Sequence, residues 1–263
     1  MEPVRLNKYL SEAGVCSRRQ ADTMISEGRV TVDGVPAQTG MKVTPGMEIL
    51  VDGKPVGKGA RPILLAVNKP RGIVCTTAEK EKDNIVKFLN YSTRVYPIGR
   101  LDKDSEGLIL MTNQGDLVNR ILRGSNHHEK EYIVQVNKPI TEKFLRAMRE
   151  GVPIPDTNRV RRGSTVLEDD EAPFILTRPC TVEAINKNTF RIILTQGLNR
   201  QIRRMCEYLD YRVTDLKRIR VLNIQLGKLE TGKYREITGL EYEKLMKLLE
   251  NSSSLSYRER TEG

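Results

Sequence analysis

The chain has 263 residues, of which 38% are hydrophobic and 30% are charged, as is typical of a globular protein of one or two domains. No apolar run approaches the roughly 18 residues that span a membrane, and the first residues lack the apolar core of a signal peptide. The formal net charge of +10 favours a polyanionic partner, nucleic acid ahead of a membrane surface. We therefore expect a cytoplasmic protein that has no membrane partner.

The cysteine and histidine pattern gives no support to a metal site. The four cysteines, at positions 16, 75, 180 and 206, form no C-x-x-C pair, and the only two histidines are the neighbours His127 and His128. Zinc ligands usually occur in close pairs. The chain also lacks the glycine motifs of P-loop and dinucleotide-binding proteins. We therefore expect free thiols and neither a metal nor another cofactor.

The N-terminal residues have the pattern of a small unit of two helices and short strands. Apolar residues at helical spacing predict a first helix over residues 5–14. Ser17 and Gln20 form the capping box of a second helix. Two short strands with Asp-Gly turns follow, at residues 29–34 and 48–53.

Two arginines, Arg18 and Arg19, occupy the first turn of the second helix, where the helix dipole disfavours each cation by roughly 0.3–1 kcal/mol. Either both are solvated or they meet phosphate. The spacing Leu6-x-x-Tyr9-Leu10, followed by Gly14-x-x-Ser17-Arg18-Arg19, resembles the S4 RNA-binding module. The resemblance implies that residues 1–56 form an S4 domain that binds RNA through these two arginines.

The rest of the chain predicts a larger domain at residues 63–250, after a linker at 57–62 and before a polar tail at 251–263. Strands are expected at residues 63–68, 73–76, 132–136, 180–185, 190–195 and 221–226. Helices are expected at residues 83–90, 115–123, 141–150, 200–209 and 239–250. Because strands and helices do not alternate regularly, we expect an α+β fold with a mixed, largely antiparallel sheet and flanking helices.

Two polar segments are candidates for the chemistry. The run Gly99-Arg-Leu-Asp-Lys-Asp-Ser-Glu-Gly107 holds three carboxylates and precedes an apolar strand. Either it is a solvated turn, or one acid is buried at the sheet edge beside Arg100. A second segment places Arg200, Arg203 and Arg204 around the apolar face of a predicted helix. Either this helix is solvated, or it faces RNA and turns one arginine inward to a carboxylate.

These segments, together with Lys130-x-Tyr132, resemble the pseudouridine synthases of the RsuA/RluB/RluE/RluF family. The matching runs are Gly99-Arg-Leu-Asp-x-Asp-Ser-x-Gly-Leu108 and Asn199-Arg-Gln-Ile-Arg-Arg-Met205. The resemblance implies that Asp102 is the catalytic carboxylate and Arg203 its basic partner. It also implies that Tyr132 stacks on the target base and assists proton transfer at C5. The residues expected to contact RNA are Arg18, Arg19, Arg100, Lys130, Arg200 and Arg204.

The resemblance further implies the reaction and the substrate. Uridine becomes pseudouridine when the N1–C1′ bond breaks and the uracil turns over and rejoins through C5, so no cofactor is needed. A uridine inside folded RNA must first be flipped out of its stack. We expect a monomer that acts on ribosomal RNA, 23S in preference to 16S, with transfer RNA as an alternative. The preference for 23S rests on runs at 128–132, 196–207 and 248–254, which resemble the branch of the family that modifies large-subunit RNA.

Two other functions compete with this interpretation. A non-catalytic RNA-binding or ribosome-assembly factor would need the S4-like part, but it would not need an acid that faces an anionic ligand. An RNA methyltransferase would need a cofactor-binding glycine loop, which the sequence lacks. The Gly-Arg-Leu-Asp run at residues 99–102 therefore favours a synthase.

Overall fold

A computed structural model describes residues 3–57, 61–123, 127–156, 174–250 and 252. Most of the expected polar tail, the end of the 248–254 run and the middle of the expected linker lie outside these residues. Within them, no helix is both long enough and apolar enough to cross a membrane.

The described residues form seven α-helices and seventeen β-strands. The helices are α1 (Leu6–Glu12), α2 (Arg18–Ser26), α3 (Ile85–Leu89), α4 (Gly115–Leu122), α5 (Glu142–Glu150), α6 (Gln201–Tyr208) and α7 (Gly239–Leu248). The strands are β1 (Val4–Arg5), β2 (Val30–Val32), β3 (Val35–Pro36), β4 (Lys42–Val43), β5 (Ile49–Val51), β6 (Lys54–Pro55), β7 (Leu64–Lys69), β8 (Tyr96–Ile98), β9 (Glu106–Thr112), β10 (Lys130–Val136), β11 (Pro153–Pro155), β12 (Phe174–Leu176), β13 (Thr181–Asn186), β14 (Thr189–Leu194), β15 (Val213–Val221), β16 (Ile224–Gln225) and β17 (Tyr234–Glu236). The predicted helices are all present, with slightly shorter ends.

The N-terminal part is built as its sequence pattern predicts. Ser17 Oγ accepts the amide hydrogen of Gln20, and Gln20 Oε1 accepts that of Ser17, which completes the capping box of α2. Helices α1 and α2 share a core with a small sheet of order β3-β2-β5-β6. In the turn between β2 and β3, Asp33 and Gly34 have φ angles of 49° and 78°, as a tight Asp-Gly hairpin requires.

A nine-stranded sheet forms the centre of the second part in the described ranges. Its order is β13-β14-β10-β15-β9-β7-β17, with β16 paired to β15 and β8 paired to β9. The pairings within it are antiparallel except that of β15 with β9, which is parallel. The predicted α+β fold with a mixed, largely antiparallel sheet is therefore confirmed.

Two strand predictions are wrong, and one long strand is unpredicted. Residues 73–76 form no strand, because Val74 makes only an isolated bridge to Asn84. The run 221–226 is divided, because Leu222 adopts a φ of 53° in the turn that separates β15 from β16. Strand β15 has no counterpart among the predictions, because its charged residues obscure the alternation of buried and exposed positions.

The parallel pair β9 and β15 fixes the position of the acidic segment. Gly107, near the start of β9, lies opposite Arg218 of β15. Its φ is +105°, and a Cβ on it would lie 2.3 Å from the carbonyl oxygen of Arg218. Only glycine fits so close a crossing of two backbones. The turn that immediately precedes β9, residues 99–105, is thereby held against the sheet.

Candidate active site

Asp102 lies in the turn between β8 and β9, and the residues around it are anchored. The amide of Leu101 donates to the Cys75 sulfur at 3.4 Å, and the Leu101 side chain is buried. The amide of Ser105 donates to the Asp102 carbonyl at 3.1 Å, and Ser105 is also buried. The Asp102 side chain keeps 27% of its surface exposed. It therefore has a fixed position and an open path to a ligand.

Helix α6 brings two arginines to this turn. The Arg203 side chain, in the first turn of the helix, is 9% exposed because it packs against the turn that holds Asp104 and Ser105. Arg200 is the N-cap residue and adopts a left-handed conformation with φ 48° and ψ 34°. For a residue other than glycine, this conformation costs roughly 1–2 kcal/mol. This backbone conformation places the Arg200 side chain beside the turn that holds Asp102 and Asp104.

The two arginines and two carboxylates form one network. Arg203 Nε lies 3.7 Å from Asp102 Oδ2, while Arg203 Nη2 lies 3.2 Å from Asp104 Oδ2 and donates to Ser105 Oγ at 3.1 Å. Arg200 Nη1 lies 3.4 Å from a carboxylate oxygen of both Asp102 and Asp104. Each carboxylate lies within 4 Å of both guanidinium groups. Arg203 therefore lies beside both Asp102 and Asp104, and its role as the basic partner of Asp102 stays a prediction.

The network borders an open cleft. Its lining includes the apolar side chains of Leu194, Ile202 and Leu216 together with Tyr132 and Asp102. The Tyr132 ring is wedged between two hydrophobic clusters, and its hydroxyl makes no hydrogen bond to any described residue. A flat ligand that enters this cleft would meet an aromatic ring and a carboxylate together.

The other predicted RNA contacts fall into different environments. Arg100 borders the cleft, and neither Arg100 nor Arg19 has a side-chain partner within the part of the chain that is described; both are exposed. Arg18 lies beside Gly115 at the start of α4, where a Cβ on Gly115 would be 3.3 Å from the Arg18 Nη2. Arg204 donates to the carbonyls of Pro155 and Asn199. Arg19 and Arg100 are thus the most available to a phosphate.

Lys130 is half-buried and lies behind the cleft. Its Nζ donates to the His128 carbonyl at 3.3 Å. Burial lowers the pKa of Lys130 to about 8, and the neighbouring positive charge of Arg218 contributes to the decrease. Lys130 is therefore directed toward the protein interior and not toward a phosphate at the surface.

Two further buried cations, Lys69 and Arg218, were not among the predicted site residues. Lys69 is fully buried, and its Nζ donates to the carbonyls of Pro70 and Ile73 at 2.8 and 2.9 Å. Burial lowers the pKa of Lys69, and charges that include Asp102 and Asp104 oppose the decrease. A lysine directly after the apolar run 63–68 was the one signal in the sequence that could have identified it.

Fold and site together define a class of protein: an RNA-modifying synthase that carries an S4 domain. A family profile described as RNA pseudouridylate synthase matches residues 63–208, and the S4 domain profile matches residues 4–49. The chain therefore belongs to the RNA pseudouridine synthase family, and it is an enzyme that isomerises uridine to pseudouridine in RNA.

Individual relatives make the assignment more specific. The chain is 50% identical over 253 residues to the dual-specificity RNA pseudouridine synthase RluF of Escherichia coli K12, a match that covers 95% of this chain and 81% of that protein. It is 33% identical to the ribosomal large subunit pseudouridine synthase B of Bacillus subtilis, over 95% of this chain and 98% of the relative. A crystal structure of a pseudouridylate synthase matches with a TM-score of 0.61 and 27% identity, over 92% of this chain and 99% of that one. The predicted family is confirmed.

Proposed function

We propose that the enzyme uses Asp102 to convert uridine to pseudouridine in ribosomal RNA, and that 23S RNA is preferred to 16S RNA. The observation that carries the proposal is the cleft that Tyr132 lines together with Asp102, whose carboxylate lies within 4 Å of both Arg200 and Arg203. The name of the Bacillus subtilis relative, which specifies the large ribosomal subunit, supports the choice of 23S RNA. RluF is named for dual specificity, so transfer RNA belongs in the test as a second substrate.

The first step is the capture of a flipped uridine. Flipping costs a few kcal/mol, which stacking of the uracil on an aromatic ring helps to offset. Tyr132 provides this ring at the wall of the cleft. Arg100 is exposed at the edge of the same cleft, so its side chain can fill the gap that the flipped nucleotide leaves in the RNA.

The chemistry then proceeds at C1′ of the ribose. The N1–C1′ bond breaks, and its electron pair leaves with the uracil. Asp102 either adds a carboxylate oxygen to the electron-deficient C1′ or removes a sugar proton, and the guanidinium groups of Arg200 and Arg203 lie within 4 Å of the carboxylate that does this. After the uracil turns over, C5 attacks C1′ and the carboxylate is released. Loss of the C5 proton completes the product.

Replacement of Asp102 by asparagine tests the proposal directly. We expect Asp102→Asn to abolish tritium release from 5-tritiated uridine in RNA while RNA binding survives. The matched control is Asp104→Asn, which removes one charge from the same network but leaves Asp102 in place, and we expect it to retain partial activity. Full activity in Asp102→Asn would contradict the proposal, and it would favour another base or nucleophile.

The substrate is tested with separate transcripts. We expect the wild-type enzyme to release tritium faster from 23S than from 16S transcripts, and a transfer RNA transcript measures the second specificity. Exclusive activity on 16S RNA would contradict the choice of substrate.

We also propose the boundaries 1–56, 57–62, 63–250 and 251–263 for the S4 domain, linker, catalytic domain and tail, and a monomer in the cytoplasm. Light scattering of the purified protein measures the oligomeric state.

A further inference from the structure

Arg218 is a buried cation in the middle of the central sheet. It is 3% exposed and lies on β15, where it is opposite both Tyr132 of β10 and Gly107 of β9. Because residues opposite each other in adjacent strands point to the same face, Arg218 lies on the face that carries Tyr132. Neither the predicted motifs nor the network around Asp102 includes it.

The positive charge and the N–H groups of the Arg218 guanidinium have few partners among the described residues. Its Nε donates to the Leu108 carbonyl at 2.7 Å, but its Nη2 is buried and has no hydrogen-bond partner among the described residues. No carboxylate lies within ion-pair distance of it in the same residues. Its charged neighbours include a second half-buried cation, Lys130. Burial of a cation without a paired anion is unfavourable, so its presence requires a compensating role.

The group that Arg218 faces is Tyr132. The guanidinium carbon lies 6.0 Å from the centre of the Tyr132 ring. A cation at this distance is attracted to the electron-rich face of an aromatic ring, and the attraction is stronger when the ring carries the negative charge of a phenolate. The Tyr132 hydroxyl is left free for the substrate. Arg218 is therefore suited to stabilise an anionic form of Tyr132 during the reaction.

We propose that Arg218, assisted by Lys130, is a positioning residue that stabilises Tyr132 as a phenolate while the phenolate oxygen removes the C5 proton. This inference rests on the proposed function of the cleft. In this step the C5–H electron pair forms the C5=C6 double bond, and the N1=C6 pair moves to N1. The phenolate becomes a phenol. The proton that N1 gains from water balances the proton that Tyr132 gave to water beforehand.

The test separates C5 proton loss from the earlier steps. With 5-tritiated uridine in the RNA, tritium release reports the loss of the C5 hydrogen. With 5-fluorouridine in the same RNA, fluorine cannot leave as a proton, so the C5-linked fluoro product reports only the steps up to C1′–C5 bond formation. We expect Arg218→Met to slow tritium release about tenfold, the order of magnitude of one lost desolvated cation–π contact, and to raise the tritium isotope effect. Formation of the fluoro product should remain at the wild-type rate.

Three further variants make the result specific. Arg220→Met is the matched control, because Arg220 lies on the same strand but is paired with Glu129 and Glu131, and its isotope effect should remain at the wild-type value. Arg218→Lys, which keeps the charge, should restore part of the tritium release. If circular dichroism shows that Arg218→Met does not fold, Lys130→Met provides the same comparison with a smaller expected effect.

The failure of this inference can be distinguished from failure of the proposed function. Full activity in Asp102→Asn would overturn the proposed function. If Asp102→Asn is inactive but Arg218→Met slows both products equally, or leaves the isotope effect unchanged, only the role of Arg218 is overturned. A rise in the isotope effect that persists when Tyr132→Phe is added would also overturn it, because the effect would not then depend on the phenolate.

Discussion

Replacement of Gly107 by alanine tests whether the crossing of β9 and β15 is as close as the structure indicates. A Cβ at this position would lie 2.3 Å from the carbonyl oxygen of Arg218 and 2.8 Å from its amide nitrogen. Both are backbone atoms in a central strand, so no side-chain movement relieves the contact. The two strands would have to separate by roughly 1 Å to restore normal van der Waals distances.

The expected loss of stability has two parts. A φ of +105° at a residue other than glycine costs roughly 1–3 kcal/mol. Overpacking in a close-packed region adds roughly 1–3 kcal/mol, so Gly107→Ala should lower the free energy of unfolding by about 2–6 kcal/mol. Gly72 has a φ of +88° with no atom within 4 Å of a Cβ, so Gly72→Ala measures the backbone strain alone. Gly151 has a φ of +106° and a Cβ contact of 2.4 Å to the Thr177 carbonyl oxygen, away from the cleft.

The assay is urea unfolding, followed by circular dichroism and extrapolated to zero denaturant, together with tritium release per folded molecule. We expect Gly107→Ala and Gly151→Ala to lose similar stability, and both to lose more than Gly72→Ala. Only Gly107→Ala should lose activity in the folded fraction, because β9 directly follows the Asp102 turn. If Gly107→Ala were as stable as Gly72→Ala, the close crossing would be refuted.

Three other predictions concern single side chains. Burial lowers the pKa of Lys130 from an ordinary value of 10.5 to about 8. Between these pH values the unfolded chain binds more protons than the folded chain, so the free energy of unfolding rises with pH. Lys130→Met should flatten this rise when urea unfolding is measured at several pH values across the interval. Arg204→Ala should cost about 1–3 kcal/mol by freeing two carbonyls, whereas Arg19→Ala should reduce the slope of log Kd against log salt by about one. An unchanged slope in Arg204→Ala would remove Arg204 from the predicted RNA contacts, and an unchanged slope in Arg19→Ala would count against the S4 contact. Arg200→Gly should be more stable than Arg200→Ala, because glycine relieves the strain of the left-handed backbone conformation, about 1 kcal/mol. Both variants should lose activity. The reverse order of stability in urea unfolding would mean that no strain is present.

Local patterns predicted the elements whose signals are local. The capping box of Ser17 and Gln20 and the Asp33-Gly34 turn are formed by residues close in sequence, and both were predicted correctly. Strand β15 was not, because four of its nine residues are charged. Two of these, Asp215 and Lys217, make ion pairs with Arg71 and Glu106 from other strands or loops, so their place in the sheet depends on partners that no local pattern reveals.

The candidate site was predicted in part, and the missing part has a physical reason. Spacing alone left both polar segments with a solvated alternative, and only the resemblance to a family combined Asp102 with Tyr132 and Arg203. The division of Arg203 between Asp102 and Asp104, and the position of Arg18 beside Gly115, depend on distances between elements far apart in sequence. Such distances are determined by packing of the whole domain and not by the residues on either side.

The charge balance of the cleft shows why this site could not be identified from composition. An enzyme that binds a polyanion and also needs a carboxylate must surround that carboxylate with cations, or the phosphates and the acid will repel each other. Here the compensating cations come from two elements far apart in sequence, with Lys69 at the end of β7 and Arg200 and Arg203 at the start of α6. The formal net charge of +10 is the sum of these charges and all the other charges of the chain, so it does not show where they lie. Only the fold concentrates them around Asp102, so the positive character of the cleft is a property of the tertiary structure.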